Sequence, residues 1–559
     1  MDRHSLRLRA AAALILAALA ASCAGPGSPP AATGTAATAA APARPKLVVF
    51  LVVDGLPMRQ VTAYREQLQP DGFARFLDRG TWFADAHYGY AYTVTAAGHA
   101  TMLSGAYPHR SGIIGNEWRD VATGEPRYCT DDTRYTYIGN ATNKLDGTSP
   151  ARLRAETVGD VLRRATPQAK VIAISGKDRG AILPAGHAGT AYMYMSGTGE
   201  FASTTYYMKE HPAWVNAFNA ARPADRYFKA EWKPALAEAA YAQSLSDNQP
   251  WFGTRAGKLP MTMGGALDKP APAYYASLLR SPFVDEMSLG LARAAIAGEQ
   301  LGGDDAPDIL AVSLSGHDYV NHYWSAESRL SHDHFLHLDR MLQDFFRHLD
   351  ATVGKDSYVA MLTADHGFMA APEVSRMRGL DAGRVASGEL LGRINAELEK
   401  RFGVPKLGRF FSASALVIDR PLLAQMNLDL AAVTEAARAA LLGEPAVAAA
   451  YTRREMAARS RAGAPHFDAM VKSWHAEISG DVQIALKPNW MFVSSTANAT
   501  HGSPYPYDTH VPILMYGPRW LKPARVDQRV EVADIAPTLS RMLGVPVPSM
   551  SEGRPLPLP

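Results

Sequence analysis

The run Lys46–Val53 is almost continuously apolar and rich in β-branched residues, the pattern of a strand buried on both faces of a parallel sheet. Comparable runs recur at Val171–Ile174, Ile309–Val312, Tyr358–Leu362 and Val511–Met515. Between them lie helical spacings such as Phe73, Phe76 and Leu77, closed by Gly80. Strands alternating with helices predict an α/β fold, with a central, mostly parallel sheet flanked by helices.

Four of these runs lead directly into polar residues: Asp54; Ser175-Gly-Lys177-Asp-Arg179; Ser313 to His322; and Thr363-Ala-Asp365-His366. In open parallel sheets, sites form just beyond the carboxyl ends of the strands. Clusters far apart in sequence are therefore predicted to converge on one pocket.

Two stretches depart from the alternation. At the N-terminus, Arg3, Arg7 and Arg9 precede the apolar run Ala10–Ala21, then Ser22 and Cys23. A basic start, a short apolar segment and small residues at its end make residues 1–23 a secretory signal, too short to span a bilayer as a mature helix. Leu19–Cys23 also resembles a bacterial lipobox, with Ala20 where leucine is more usual. Lipid attachment at Cys23 and plain cleavage with release both stay open, so the expected location is periplasmic or membrane-anchored through lipid. Residues 24–45 are rich in Ala, Pro, Gly and Thr and read as a flexible tether, leaving 46–559 as one large domain. Within that domain, about 190–285 is rich in aromatic residues, among them Tyr206, Tyr207, Trp214, Trp232, Trp251, Tyr274 and Tyr275. It is predicted to be an inserted cap that bears on the site, the alternative being a continuation of the main core.

Composition narrows the chemistry. The formal net charge of +3 over 559 residues is nearly balanced, and Lys and Arg are dispersed, which weighs against a polyanion groove for nucleic acid. With only Cys23 and Cys129 present, no cysteine-rich zinc site can form, so any metal must be held by His and carboxylate. Cys129 has no paired histidine or second cysteine nearby and reads as structural.

Asp318 and His322, four residues apart, project on one face of a helical turn and can chelate a divalent metal. Asp365-His366 can both reach metal where the backbone leaves a strand at an irregular turn. A salt bridge or helix cap is the alternative for each pair. Thr95, at the start of a short helical pattern, is either an N-cap or a hydroxyl whose developing negative charge the helix terminus favours. His332, His334 and His337 follow the spacing of an ordinary helix, and His99 and His317 read as supports, not ligands.

Taken together, Val-Val-Asp54-Gly-Leu, Thr95-Ala-Ala-Gly-His-Ala-Thr, Gly-Ile-Ile-Gly-Asn116-Glu-Trp, Ser-Gly-Lys177-Asp-Arg179, Asp318-Tyr-Val-Asn-His322, Ala-Asp365-His366-Gly and Thr-His501-Gly-Ser-Pro-Tyr resemble the alkaline phosphatase superfamily, in its threonine-nucleophile zinc branch. The segments occur in the family's order and span the chain after the tether. The resemblance implies two zinc ions, one held by Asp54, Asp365, His366 and the Thr95 oxygen, the other by Asp318, His322 and His501. His510, nine residues on, is the competing choice for the last ligand. Ala97 departs from the proline common in close relatives.

The resemblance further assigns Thr95 as nucleophile and Asn116, Lys177 and Arg179 to phosphate binding. Cations aimed at the terminal oxygens favour a monoester dianion over a diester monoanion. The expected activity is therefore hydrolysis of small phosphate monoesters through a phosphothreonine. A phosphodiesterase or nucleotide pyrophosphatase of the same superfamily is the rival reading, because it shares the metal ligands. A non-catalytic binding lipoprotein would lack a ligand or the nucleophile, and none is missing.

Overall fold

The computed structural model describes residues 44–559. The expected signal at 1–23 and nearly all of the expected tether at 24–45 lie outside the described residues. No helix among the described residues is long and apolar enough to cross a membrane.

A nine-stranded sheet organises the chain. Its strands are β1 (Leu47–Val53), β2 (Thr81–Phe83), β3 (Val171–Ser175), β4 (Thr190–Met195), β5 (Glu200–Ala202), β6 (Asp308–Leu314), β7 (Tyr358–Thr363), β8 (Ile513–Tyr516) and β9 (Ala524–Val526). Their spatial order is β9-β2-β8-β7-β1-β6-β3-β4-β5. β1 pairs parallel with both β6 and β7, and β6, β3 and β4 continue the parallel set. β5 and β8 run against their neighbours. The apolar run at Val511–Met515 is thus a strand, but a reversed one; an apolar run carries no direction. Central strands β1, β6 and β7 are buried at every position, as expected for strands covered on both faces.

Five helices position the site: α1 (Thr95–Ser104), α2 (Asp178–Ala185), α3 (Phe283–Glu299), α4 (Gly316–Trp324) and α5 (Arg329–Leu349). Every residue of α1 is buried, and Gly105, left-handed at φ 68°, ends it with its N–H bonded to the Thr101 carbonyl at 2.7 Å. α1 packs on α2, α2 on β3 and β4, and α3 on β6. His332 and His334 are buried within α5, where His332 stacks on Tyr64 at 3.6 Å between ring centroids, a packing role.

Part of the aromatic stretch at 190–285 continues the main core, the alternative left open by the sequence, and Arg255 and Arg280 from it reach the cleft beside His322. Its first residues are β4 and β5 of the main sheet, and Tyr192, Phe201, Tyr274 and Tyr275 belong to the main core. Trp232 and Phe252 pack with Val320 and Trp324, so the remainder braces α4. These rings are consumed by packing and do not line a cleft. A separate module is formed by an antiparallel sheet of order Gly408–Ser412, Ala415–Ile418, Val482–Leu486, Val447–Thr452. Helices Ser387–Phe402 and Leu430–Leu442 cover it, with Leu390, Ile394, Leu398, Leu416, Val433 and Leu441 in its own core.

Gly98 shows how tightly α1 is seated. A Cβ built there would lie 2.2 Å from the Asp365 carbonyl oxygen, so helix and strand end meet backbone to backbone. Gly98→Ala is expected to destabilise the protein by about 1–3 kcal/mol, read as a lowered thermal midpoint; an unchanged midpoint would contradict this close approach.

Candidate active site

The carboxyl ends of β1, β6 and β7 deliver three buried carboxylates to one place. Asp54 follows β1, Asp365 follows β7, and Asp318 sits in the first turn of α4, just after β6. Gly55 makes this convergence possible: it is left-handed at φ 71°, a Cβ on it would approach Asp318 Oδ1 to 3.1 Å, and its N–H donates to Asp365 Oδ1 at 3.0 Å. Two groups of donors result. Asp54, Asp365 and His366 form one, and Asp318, His322 and His501 form the other, each with its ligand atoms within 4.8 Å. The groups adjoin, since His366 Nε2 lies 3.6 Å from Asp54 Oδ1 and 4.0 Å from Asp318 Oδ1.

All three imidazoles are held in the same way. Nδ1 of His322 faces the Ala499 carbonyl at 2.9 Å, that of His366 the Gly367 carbonyl at 2.8 Å, and that of His501 the Thr93 carbonyl at 2.8 Å. A carbonyl only accepts, so Nδ1 carries the proton and Nε2 of a neutral ring presents a lone pair. Those lone pairs face carboxylates: His322 Nε2 is 3.4 Å and His501 Nε2 3.7 Å from Asp318 Oδ1, and His366 Nε2 is 3.4 Å from Asp365 Oδ2. Burial and the adjacent His366 hold His501 well below the usual histidine range, and burial lowers His366 too. Their rings stack at 3.4 Å, where two imidazolium ions would repel. A lone pair opposite a carboxylate is repulsive unless a cation lies between them, and an imidazole anchored through its other nitrogen is the arrangement of a metal ligand.

The charge balance makes the same demand. Asp54 Oδ1, Asp318 Oδ1, Asp365 Oδ2 and His366 Nε2 are buried without a hydrogen-bond partner among the described residues. Burial and the repulsion of Asp365 push Asp54 up, whereas Asp318, against its burial, is held well below the usual range by His322 and Lys177. Three buried carboxylates against one lysine are not a stable set on their own. The donors fit divalent cations.

Lys177, at the end of β3, places Nζ 2.7 Å from Asp54 Oδ2 and 2.5 Å from Asp318 Oδ2. The sequence reading aims this side chain at substrate; here the carboxylates attract it, because it is the nearest ammonium to them. Arg179, in the first turn of α2, donates to the Tyr128 hydroxyl at 2.9 Å, and Tyr128 in turn donates to Asp178 at 2.5 Å. Asn116 Oδ1 accepts from the Ala96 N–H at 2.8 Å, satisfying one of the donors that the helix itself leaves unpaired at the start of α1. Thr95 is the first residue of that helix; Val94 is the N-cap and offers no side-chain cap, so the threonine hydroxyl is not occupied in capping. The surrounding turn ties the two donor groups together. The Thr93 carbonyl holds His501, while the Thr95 carbonyl holds His99, whose Nδ1 is also 3.4 Å from Asp365 Oδ2.

His501, not His510, stands beside Asp318 and His322. His510 belongs with Asp85 and His87 in a third group that is closed by hydrogen bonds: His87 to Asp85 at 2.8 Å and to Thr509 at 3.0 Å, and His510 to the Ala84 carbonyl at 2.8 Å. Three contributors escape sequence reading. Asp508 secures the His501 loop by accepting from the Ser503 N–H at 2.9 Å and hydroxyl at 2.5 Å. Tyr128 orients Arg179, and Tyr319 lies under the Lys177 ammonium, 4.8 Å from it. Asp508 and Tyr128 belong to no motif, and Tyr319 carries a signal only through its place between Asp318 and His322. The donors open onto a cleft of about 860 Å³ lined by Tyr92, Asn116, Tyr319, His322 and His501, with Phe411, Ile484, Trp490 and Phe492 of the smaller module on its wall.

Fold and donor set together define a metal-dependent hydrolase of phosphate esters. The chain belongs to the type I phosphodiesterase/nucleotide pyrophosphatase family, whose model matches residues 48–509. It is 35% identical over 521 residues to alkaline phosphatase PafA of Elizabethkingia meningoseptica, covering 92% of this chain and 94% of that one. It is 34% identical over 518 residues to alkaline phosphatase PhoV of Synechococcus elongatus, covering 92% of each. The crystal structure of wild-type PafA superposes with a TM-score of 0.85 at 34% identity, covering 92% of this chain and 99% of that one.

Removing divalent cations with a chelator should lower the thermal midpoint by several degrees, with recovery when they are restored, because cations that bind the folded state stabilise it. Metal analysis should show that His501→Ala loses bound ion while His510→Ala keeps the wild-type amount. Equal loss in both variants would contradict the grouping.

Proposed function

We propose that the protein is an exported alkaline phosphatase that hydrolyses small phosphate monoesters, with Thr95 as nucleophile and two zinc ions at the paired donor groups. The observation that carries the reading is the placement of Thr95 at the first position of buried helix α1, its turn linked through His99 to Asp365 and through Thr93 to His501. The PafA and PhoV resemblance over most of the chain supports monoester chemistry. Zinc suits the two-carboxylate-plus-histidine and one-carboxylate-plus-two-histidine donor sets. Asp54, Asp365 and His366, with the Thr95 oxygen, would hold one ion, and Asp318, His322 and His501 would hold the other. When bound, the ions supply Lewis acidity to the attacking and leaving oxygens and lower the pKa of a coordinated hydroxyl.

The chain's own groups do the rest. The first turn of α1 presents N–H groups and the positive end of its dipole to the developing negative charge at Thr95. Thr95 Oγ1 bonds to phosphorus as the ester oxygen leaves with the alcohol, giving a phosphothreonine; water then replaces Thr95 and releases inorganic phosphate. With divalent cations bound, Asp54 and Asp318 would no longer demand the Lys177 ammonium, and its flexible stem would leave it free to bind a phosphate oxygen. Arg179, oriented by Tyr128, and the Asn116 amide engage the remaining terminal oxygens. A monoester presents more charge to these groups than a diester, which is the basis for preferring it. The signal-like segment at 1–23 supports export to the periplasm, with lipid at Cys23 or release after cleavage, and a role in scavenging phosphate.

Thr95→Ala is expected to keep its metal and lose nearly all turnover, with Thr95→Ser retaining part of it; near-normal activity in the alanine variant would mean that water attacks phosphorus directly. The Lys177→Ala/Arg179→Ala double variant should lose about 100-fold or more in kcat/KM for p-nitrophenyl phosphate, and far less for bis-p-nitrophenyl phosphate. Equal losses on the two esters would remove the assignment of these cations to substrate.

A further inference from the structure

The cleft wall beyond His322 carries two arginines that the hydrolytic chemistry does not use. Arg255 and Arg280 both line the cleft, and both guanidinium groups lie over the Tyr323 ring, 4.8 Å and 4.6 Å from its centroid. They differ in how far they are engaged. Arg255 donates to Asn498 Oδ1 at 2.6 Å and to the Ser495 carbonyl at 2.9 Å, so it fixes the loop ahead of His501. The Arg280 guanidinium has no hydrogen-bond or ion-pair partner among the described residues; the ring contact with Tyr323 is what positions it. A guanidinium stacked on a ring keeps its in-plane N–H donors available, and a planar fork of donors matches carboxylate or phosphate oxygens. The half-buried position beside an aromatic face limits screening by water and salt. Two carboxylates also line the cleft. Asp508 is committed to Ser503, and Glu117 is exposed beside Tyr92, so neither is ion-paired with Arg280.

We propose that Arg280, seconded by Arg255, forms a distal anion subsite that selects monoesters whose leaving alcohol carries a second anionic group, a carboxylate or a phosphate. This inference rests on the monoesterase reading. The body joining the two charged ends would lie along the apolar wall of Phe411, Trp490 and Phe492. The free arginine explains why a site that needs only small donors for chemistry opens onto a cleft of about 860 Å³.

The test compares kcat/KM for phenyl phosphate with 4-(carboxymethyl)phenyl phosphate and 4-(phosphonomethyl)phenyl phosphate, whose methylene groups insulate the reacting oxygen from the added charge. The metal-loaded wild-type enzyme should prefer at least one charged ester by about tenfold, and which of the two is preferred identifies the anion. Arg280→Ala should abolish that preference, Arg280→Lys should keep part of it, and rising salt should erode it in the wild type. No preference in the wild type, or one that survives Arg280→Ala, overturns the inference and leaves the monoesterase reading standing. Turnover of none of the three esters overturns both.

Discussion

Three carboxylates buried at the ends of parallel strands, facing a single lysine, are the constraint on which the rest of the structure turns. Asp54, Asp318 and Asp365 are brought together by the pairing of β1 with β6 and β7, the most buried part of the molecule. Burying that much like charge is unfavourable in a folded chain unless cations are bound within it. The tautomers of His322, His366 and His501 answer the same need, since backbone carbonyls commit each Nδ1 and turn each Nε2 inward. This arrangement of donors suits divalent cations.

The surrounding elements serve that centre in distinct ways. α1 is pressed backbone to backbone against the Asp365 turn through Gly98, which places Thr95 at the centre without using its hydroxyl as a cap. The tryptophan-rich insertion braces α4 from outside through Trp232 and Trp324, keeping Asp318 and His322 on one face. The smaller module supplies the aromatic wall of the cleft while resting on its own core. The donors thus belong to the main sheet, and the cleft beyond them is walled by both the smaller module and the 190–285 stretch.

Much of the site was legible in the sequence because each donor follows a strand or sits in a tight motif. Asp54 and Asp365 come directly after continuous apolar runs, and the four-residue spacing of Asp318 and His322 survives as one face of α4. Other features were not legible, for physical reasons. His501 and His510 have equal local claims, and only the hydrogen bonds of His510 and His87 place the latter pair elsewhere. The run at Val511–Met515 reads as a strand but cannot announce that it runs antiparallel. Aromatic richness at 190–285 does not distinguish rings that pack inward from rings that line a cleft, and Tyr192 and Phe201 proved to be sheet residues. The smaller module was missed because a strand such as Gly408–Ser412 is mostly half-buried and shows no continuous apolar run. The contact of Lys177 with Asp54 and Asp318 follows from charge balance in three dimensions, and no linear pattern contains it.

The family includes enzymes named for diesters as well as those named for monoesters, so substrate class is the claim on which the account stands or falls. The most direct measurement is the ratio of kcat/KM for p-nitrophenyl phosphate to that for bis-p-nitrophenyl phosphate, in wild-type protein loaded with zinc at alkaline pH. The account predicts a preference for the monoester of several orders of magnitude. A preference for the diester would leave the fold and the paired donor groups intact, but would contradict the assignment of Lys177 and Arg179 to the phosphate dianion.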